Sequence, residues 1–184
     1  MKLFRIAPAR LLLALLLGAL PLGAFAQAPP EVHYDLVHSP QYQLRYQVPT
    51  GWDQVRQTTD TTVTITHLSP GRDLLLYIGQ LRGAAIRLTP AQALYQLTEQ
   101  FGVTVNKQFS TVYNGIEFVE TTGTGRRDGQ LLRYDALAAL HRGHVLLICV
   151  SGTPDAFATH EPEVQHTLHS MAPYSPKARR PAPR

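Results

Sequence analysis

Cysteine is almost absent from this chain of 184 residues, because Cys149 is the only one. A disulfide within the chain is therefore impossible. Cys149 lies inside the apolar run VLLICV, which predicts a buried and inert thiol. A catalytic thiolate is the alternative, and it would need solvent exposure and a positively charged neighbour.

Positive charge is scarce in the part of the chain that can fold, although the whole sequence has a formal charge of +4. Three of the 17 lysines and arginines lie in residues 1–26, and four lie in residues 175–184. The residues between them hold the other ten, against 13 acidic side chains, which gives a net charge of −3. This balance excludes the basic face that binds nucleic acid, so we expect no nucleic-acid partner.

The motifs of common catalytic sites are missing as well. The sequence contains no G-x-S-x-G nucleophile elbow and no H-E-x-x-H zinc motif. The glycine-rich stretch Gly123–Gly125 precedes a predicted strand, whereas a phosphate loop needs a helix N-terminus behind it. The aspartates fall mostly at predicted turns or strand edges, where they cap or are solvated: Asp53, Asp60, Asp73, Asp128 and Asp135. We therefore expect no enzyme activity and no cofactor, with a triad assembled from distant residues as the alternative.

Long apolar runs are confined to the N-terminus. Three basic residues precede the uncharged run Leu11–Leu17, and the small-x-small pattern Ala24–Ala26 follows it. This order predicts a secretory signal peptide over residues 1–26, a mature chain that starts at Gln27, and a periplasmic or secreted location. An uncleaved membrane anchor is the alternative, but the run is short for a span of about 20 residues. No later stretch is long and apolar enough to cross a membrane.

Both ends of the remaining chain are polar and rich in proline. Residues 27–40 are predicted to be a lead-in, and one domain is predicted over residues 41–174, beginning near Gln41. The tail, residues 175–184, reads SPKARRPAPR and has nothing apolar to bury, which predicts disorder. Its basic residues suggest an electrostatic contact with an anionic membrane or wall polymer, and a merely solvated chain end is the alternative.

The sequence is rich in alternating apolar residues, and Leu131–Gly152 shows the pattern most clearly. This stretch predicts a β-hairpin that turns at His141–Gly143. The second strand contains Val145–Val150, which is apolar on both faces and therefore belongs at the centre of a sheet with packing above and below. A buried helix segment is the alternative, and the β-branched residues and bracketing glycines favour the strand.

Further strands are predicted before this hairpin, joined in pairs by the turns Ser69–Arg72 and Asn114–Gly115. The glycine-rich segment Gly123–Gly129 is predicted to be a loop leading into the hairpin. In chain order the strands cover Tyr42–Tyr46, Thr61–Leu68, Asp73–Gln80, Val103–Val112 and Ile116–Thr122. Together they predict an antiparallel meander.

Two segments change to a helical period. Thr89 as N-cap and a proline at the first position predict an amphipathic helix over Pro90–Phe101. A second helix is predicted over Pro162–Met171, preceded by a short turn around Phe157, because Pro162 is expected to interrupt the segment. Helices on both faces of an antiparallel sheet give an α+β sandwich.

Eight histidines are many for a chain of this length. His166 and His169 lie three residues apart on the predicted last helix, and His160 precedes them. Two imidazoles on one helical face can share a metal ion, although no cysteine or carboxylate is spaced to complete the site. These histidines are candidate metal ligands, and a solvated helix surface is the alternative.

Arg126 and Arg127 stand together at the tip of the predicted loop before the central hairpin. Because arginine is well suited to binding carboxylates, both are candidate residues for docking an acidic partner. The alternative is a pair of solvated loop residues, which contribute little to binding or stability.

Three short motifs stand at the ends of predicted strands: VPTGW at residues 48–52, NGIE at 114–117 and Gly-Thr-Pro at 152–154. Their order resembles the PsbP/Mog1-like superfamily, in particular its small secreted bacterial members such as the DcrB-like group. The resemblance covers Tyr42 to Tyr174. It implies an antiparallel sheet between helices and an accessory or binding role without catalysis. No functional motif of the family is present from which a binding residue can be carried over.

Two functions follow as expectations. The first is a non-catalytic accessory protein that binds another envelope or secreted protein through its sheet edge or loops. The second is a small-ligand or metal-binding module that uses the gap between a helix and the sheet, with histidines at its rim.

Overall fold

A computed structural model describes residues 31–82 and 87–175 of the chain. The predicted signal peptide and residues 176–184 of the tail lie outside the described residues. Within the described ranges, neither helix has the length and apolar character needed to cross a bilayer.

The described residues form ten strands and two helices. In chain order these are β1 (Tyr34–Ser39), β2 (Leu44–Pro49), β3 (Asp53–Thr58), β4 (Thr62–Leu68), β5 (Leu74–Leu81), α1 (Pro90–Gln100), β6 (Thr104–Tyr113), β7 (Ile116–Arg127), β8 (Gln130–His141), β9 (His144–Gly152), α2 (Pro154–Ser170) and β10 (Ala172–Pro173). Seven strands form one antiparallel sheet in the order β3-β4-β5-β9-β8-β7-β6, and a second antiparallel sheet has the order β1-β2-β10.

Strand β9 is the fourth of the seven strands, which confirms the predicted centre of the sheet. Its alternate side chains enter two separate cores. Leu146, Ile148 and Val150 pack beneath α2 and β2. Leu147 and Cys149 pack beneath α1. A strand covered on both faces must be apolar on both, which is why this run has no polar alternation.

The two helices lie on opposite faces of the large sheet and confirm the predicted α+β sandwich. On one face, α1 packs against β7, β8 and β9. The other face is covered jointly by α2 and the small sheet. Four residues in and before β2 are buried there with the apolar residues of α2: Tyr42, Leu44, Tyr46 and Val48.

Helix α1 begins as the sequence predicts. The Thr89 hydroxyl accepts a hydrogen bond from the Gln92 N–H (3.2 Å), and the Gln92 side chain accepts one from the Thr89 N–H (2.9 Å). This reciprocal capping box satisfies two backbone donors that the first turn would otherwise leave free. Leu94 and Leu97 then face the sheet and are buried.

Helix α2 runs without a break through Pro162, so the predicted interruption and the separate turn around Phe157 are wrong. Proline has no N–H, and the carbonyl of Ala158 therefore loses its helical hydrogen bond. Both residues are exposed, so water can satisfy that carbonyl. Buried residues before and after the proline hold the two halves in one line: Ala156, Phe157, Val164, Thr167 and Leu168.

Strand β1 lies within residues 27–40, where the sequence predicts a lead-in, so the predicted start of the domain near Gln41 is too late. The strand pairs with β2 from Tyr34, opposite Pro49, to Ser39. Its apolar content is low because one face is open to solvent: Leu36 is exposed, and only Val37 packs against the core.

The predicted loop Gly123–Gly129 is mostly strand, because β7 continues to Arg127 and only Asp128–Gly129 forms the turn. Gly123 and Gly125 serve close packing instead of a turn. A Cβ atom on Gly123 would lie 2.5 Å from Cγ1 of Val103 and 2.6 Å from the carbonyl oxygen of Thr104. Only glycine lets the start of β6 approach this closely.

Candidate functional site

A groove opens on the α1 face of the large sheet, beside the first turn of that helix. Strands β6, β7 and β8 form its floor, and its volume is about 760 Å³. Helix α1 packs against β7, β8 and β9, so the outer part of this face remains without a helix above it. Val112 and Leu140 line the groove and are 61% and 65% exposed.

The groove presents apolar and polar groups in nearly equal measure. Val119 and Ala138 stand opposite each other on β7 and β8 and also line the groove, and Ala138 is fully buried. Glu117 is exposed and contributes a negative charge. Nε2 of His141, which also lines the groove, lies 3.1 Å from the carbonyl oxygen of Gln43. The groove can therefore hold an apolar surface and can place a cation next to Glu117.

A pair of buried carboxyl groups lies on the opposite face of the same strands. Glu120 of β7 and Asp135 of β8 are each 5% exposed. The Tyr113 hydroxyl donates a hydrogen bond to Oε2 of Glu120 over 3.4 Å. Burial, and then the nearby charge of Asp135, raise the pKa of Glu120 to about 7, and burial also raises the pKa of Asp135.

The sequence prediction for Asp135 is wrong, because this residue lies in the middle of β8 and not at a turn or strand edge. One signal pointed to Glu120, since it alternates with Ile116 and Phe118 on the inward face of its predicted strand. Nothing in the local sequence pairs the two carboxyls, because β7 and β8 bring them together only through the register of the sheet.

Comparison of the sequence with protein-family models gives no match, and comparison with curated proteins gives none either. Solved structures do match. CyanoP, the cyanobacterial PsbP of Synechocystis sp. PCC 6803, has a TM-score of 0.60 at 12% identity over 84% of this chain and 99% of that chain. The fold is PsbP-like. This confirms the architecture that the resemblance implies.

Two further structures match this chain. LpqN of Mycobacterium tuberculosis, described as involved in cell envelope biogenesis, has a TM-score of 0.50 at 13% identity over 77% of this chain and 91% of that chain. A Pseudomonas aeruginosa protein of unknown function, PA94, has a TM-score of 0.48 at 18% identity over 82% of this chain and 99% of that chain. At such identities the likeness concerns the fold alone.

The fold places the three candidate histidines along α2, each with its own partner. Nε2 of His166 lies 2.7 Å from Oε1 of Gln47. The His169 ring packs 5.2 Å from the ring of Tyr113, and Nδ1 of His160 lies 2.7 Å from a carboxylate oxygen of Glu163.

His166 and His169 are exposed on the surface of α2. Within residues 31–82 and 87–175, no three histidine, cysteine or acidic side chains converge as metal ligands would. The fold thus gives each candidate histidine a structural contact and does not bring the three together.

Arg126 and Arg127 lie at the end of β7, next to the β7–β8 turn, and both are exposed. Nη1 of Arg126 donates a hydrogen bond to the carbonyl oxygen of Gly129 over 3.0 Å, so this side chain also braces its own turn. The two arginines are far along the sheet from the groove, which is lined by the other ends of these strands.

The Cys149 thiol is buried in the core beneath α1, as the sequence predicts. Burial, and then the charge of Asp135, raise the pKa of the thiol to about 12. A thiolate is therefore not formed near neutral pH, and the residue packs as a small apolar side chain.

Proposed function

We propose that this protein is an exported, non-catalytic accessory protein of the bacterial envelope that binds another envelope or secreted protein through the groove beside α1. The observation that carries the proposal is the exposure of Val112 and Leu140 on a sheet face that α1 covers elsewhere. Exposed apolar side chains beside an exposed acidic one suit a partner that offers both apolar and basic groups. The signal-peptide pattern at residues 1–26 and the envelope role described for LpqN support the location.

The groove favours a partner segment with one apolar face and a nearby basic residue. Apolar side chains of the partner would remove Val112, Val119 and Leu140 from water. A lysine or arginine beside them would meet Glu117, which stands opposite Val112 on β7. A segment lying beside α1 on the sheet would extend the helical cover that this face already has.

The test compares two leucines of the same strand. Leu140→Asp places a charge in the groove, whereas Leu131→Asp places one at the other end of β8, where Leu131 is also exposed. Partners are captured from the native envelope by mild crosslinking and identified by mass spectrometry. Affinity is then measured with the purified partner.

We expect the wild type and Leu131→Asp to bind alike and Leu140→Asp to bind at least about tenfold more weakly, because a buried unpaired charge costs more than 1.4 kcal/mol. Glu117→Lys should also weaken binding, and a charge reversal in the partner should restore it. Equal affinity of Leu140→Asp and the wild type would refute this interface.

A second candidate function uses the same groove for a small apolar ligand. Its volume of about 760 Å³ lies within the range of ligand-binding pockets, roughly 300–1,000 Å³. In that case a compound should raise the melting temperature of the wild type and of Leu131→Asp in a concentration-dependent manner, and should not raise that of Leu140→Asp.

A further inference from the structure

The two buried carboxyl groups are diagonal neighbours across adjacent strands. Glu120 stands opposite Leu137, and Asp135 stands opposite Thr122, two residues further along β7 on the same face. Diagonal neighbours on one face of an antiparallel pair are within reach of each other when one side chain is as long as that of glutamate. Oδ1 of Asp135 has no hydrogen-bond partner among the described residues. One proton held between the two carboxyls turns an acceptor into a donor and removes the repulsion between two buried negative charges.

The groups that face this pair do not neutralise it. From β6, the Tyr113 hydroxyl bonds Glu120, and the Lys107 ammonium instead lies 4.7 Å from the centre of the Phe109 ring. From β8, the Arg133 guanidinium lies over the ring of Phe157, and it forms no ion pair with either carboxyl among the described residues.

Helix α2 contributes His169, whose ring packs on Tyr113 and not on a carboxyl. Since no basic side chain of the described residues pairs with either carboxyl, one proton shared between Glu120 and Asp135 would stabilise the buried pair.

The pair is connected to the end of α2 through the β6–β7 turn. Tyr113 is followed by Asn114, whose Nδ2 donates hydrogen bonds to the carbonyl oxygens of His169 (2.6 Å) and Met171 (2.9 Å). Met171 is fully buried. The residues around the carboxyl pair thus also hold the last turn of the helix against the sheet.

We propose that Glu120 and Asp135 form a proton-dependent latch, in which one shared proton keeps the β6–β7 hairpin and the C-terminal turn of α2 closed, and loss of that proton loosens both. In the loosened form water reaches the two carboxylates and restores their ordinary acidity. Because the pKa of Glu120 is raised to about 7 in the closed form, the change falls near neutral pH.

Opening of the latch would also change the groove. Ser110, Val112 and Glu117 belong to the same β6–β7 hairpin and line the groove on the opposite face of the sheet. An effect of pH on partner binding rests on the proposed function. The latch itself does not, and it is tested without any partner.

The test is amide hydrogen exchange of the purified protein, read by mass spectrometry between pH 5 and pH 8 and corrected for the intrinsic pH dependence of exchange. We expect opening of the β6–β7 hairpin and the end of α2 to increase by up to about tenfold for each pH unit between 5 and 7, and then to level off. Glu120→Gln should remove this dependence. Glu117→Gln, on the same strand but exposed on the other face, should retain it.

Two outcomes would overturn the latch: opening in the wild type that does not change with pH, or the same pH dependence in Glu120→Gln as in the wild type. If Glu120→Gln does not fold, Asp135→Asn takes its place. A carbon NMR titration of the wild type gives an independent reading, because a Glu120 carboxyl that titrates entirely below pH 5 also contradicts the proposal.

Discussion

The phenol oxygen of Tyr46 lies 2.9 Å from Nε2 of His67, inside the core between β2 and β4. His67 is 1% exposed, and its Nδ1 has no hydrogen-bond partner among the described residues. Burial, and then the charge of Arg56, lower the pKa of His67 to about 4. The imidazole is therefore neutral in the folded protein near pH 7, and a second ring proton would be buried as a charge.

This contact predicts a loss of stability in acid. The unfolded chain binds a proton at His67 near pH 6.5, whereas the folded protein does so only near pH 4, so the free energy of unfolding should fall as the pH drops between these values. The full effect is about 3 kcal/mol. Urea denaturation at several pH values measures it.

Two substitutions isolate His67 in that experiment. His67→Gln should flatten the acid slope, and His144→Gln, at an exposed histidine, should leave it unchanged. The series is best run with Glu120→Gln as the parent, because the stabilisation from the protonated Glu120 is present at low pH and is lost as the pH rises through about 7. The prediction is contradicted if the free energy of unfolding falls with decreasing pH as steeply after His67→Gln as it does in the Glu120→Gln parent.

Gly123→Ala tests the close approach of β6 to β7. The added Cβ would meet Val103 and the backbone of Thr104 at distances that no ordinary contact allows. We expect a loss of about 1–3 kcal/mol in the free energy of unfolding. Thr124→Ala, the next residue on β7 and on the other face, serves as the control and should cost less, since it changes only strand propensity.

Pro162→Ala tests the proline inside α2. Alanine restores the N–H that the carbonyl of Ala158 lacks, and the site is exposed, so no core contact is lost. We expect a gain of about 1–2 kcal/mol, less than the full helix-propensity difference because proline also restricts the unfolded chain. Pro154→Ala, at the first helical position where proline is favourable, should give no gain.

Asn114→Gly tests the two hydrogen bonds to the end of α2 without disturbing the turn. Asn114 has φ = 47°, which glycine adopts freely. We expect a loss of about 1–2 kcal/mol from the two side-chain bonds. Asp128→Gly changes a residue with φ = 52° in the β7–β8 turn and should be close to neutral. Equal effects of the two substitutions would show that the bonds from Asn114 add nothing.

The sequence was a good guide wherever one segment alone decides the structure. The two-faced apolar run of β9, the capping box at Thr89 and the Asn114–Gly115 turn each depend on neighbouring residues, and each was predicted correctly. The proline in α2 misled because its effect depends on how the buried helix residues before and after it pack against the sheet, and the helix sequence alone does not show that packing.

The groove and the carboxyl pair could not be predicted, because both depend on residues of different strands. Leu140 continues the apolar alternation of β8 and is nonetheless exposed, since α1 does not reach it. Glu120 and Asp135 meet only when the register of two strands is known. Strand β1 was missed for a related reason, because most of its support comes from pairing with β2 and little from apolar burial.

The two outer strands of the large sheet have a consequence for self-association. All six residues of β3 are exposed, and Asp53 and Arg56 are charged, so a foreign strand adding to this edge would strip them of water. On the opposite edge, a bulge between Val105 and Lys107 breaks the regular ladder of β6. Such charges and bulges oppose amyloid-like growth from open edges. We therefore expect that neutralising these few residues at the borders of the sheet would lower solubility without weakening the fold.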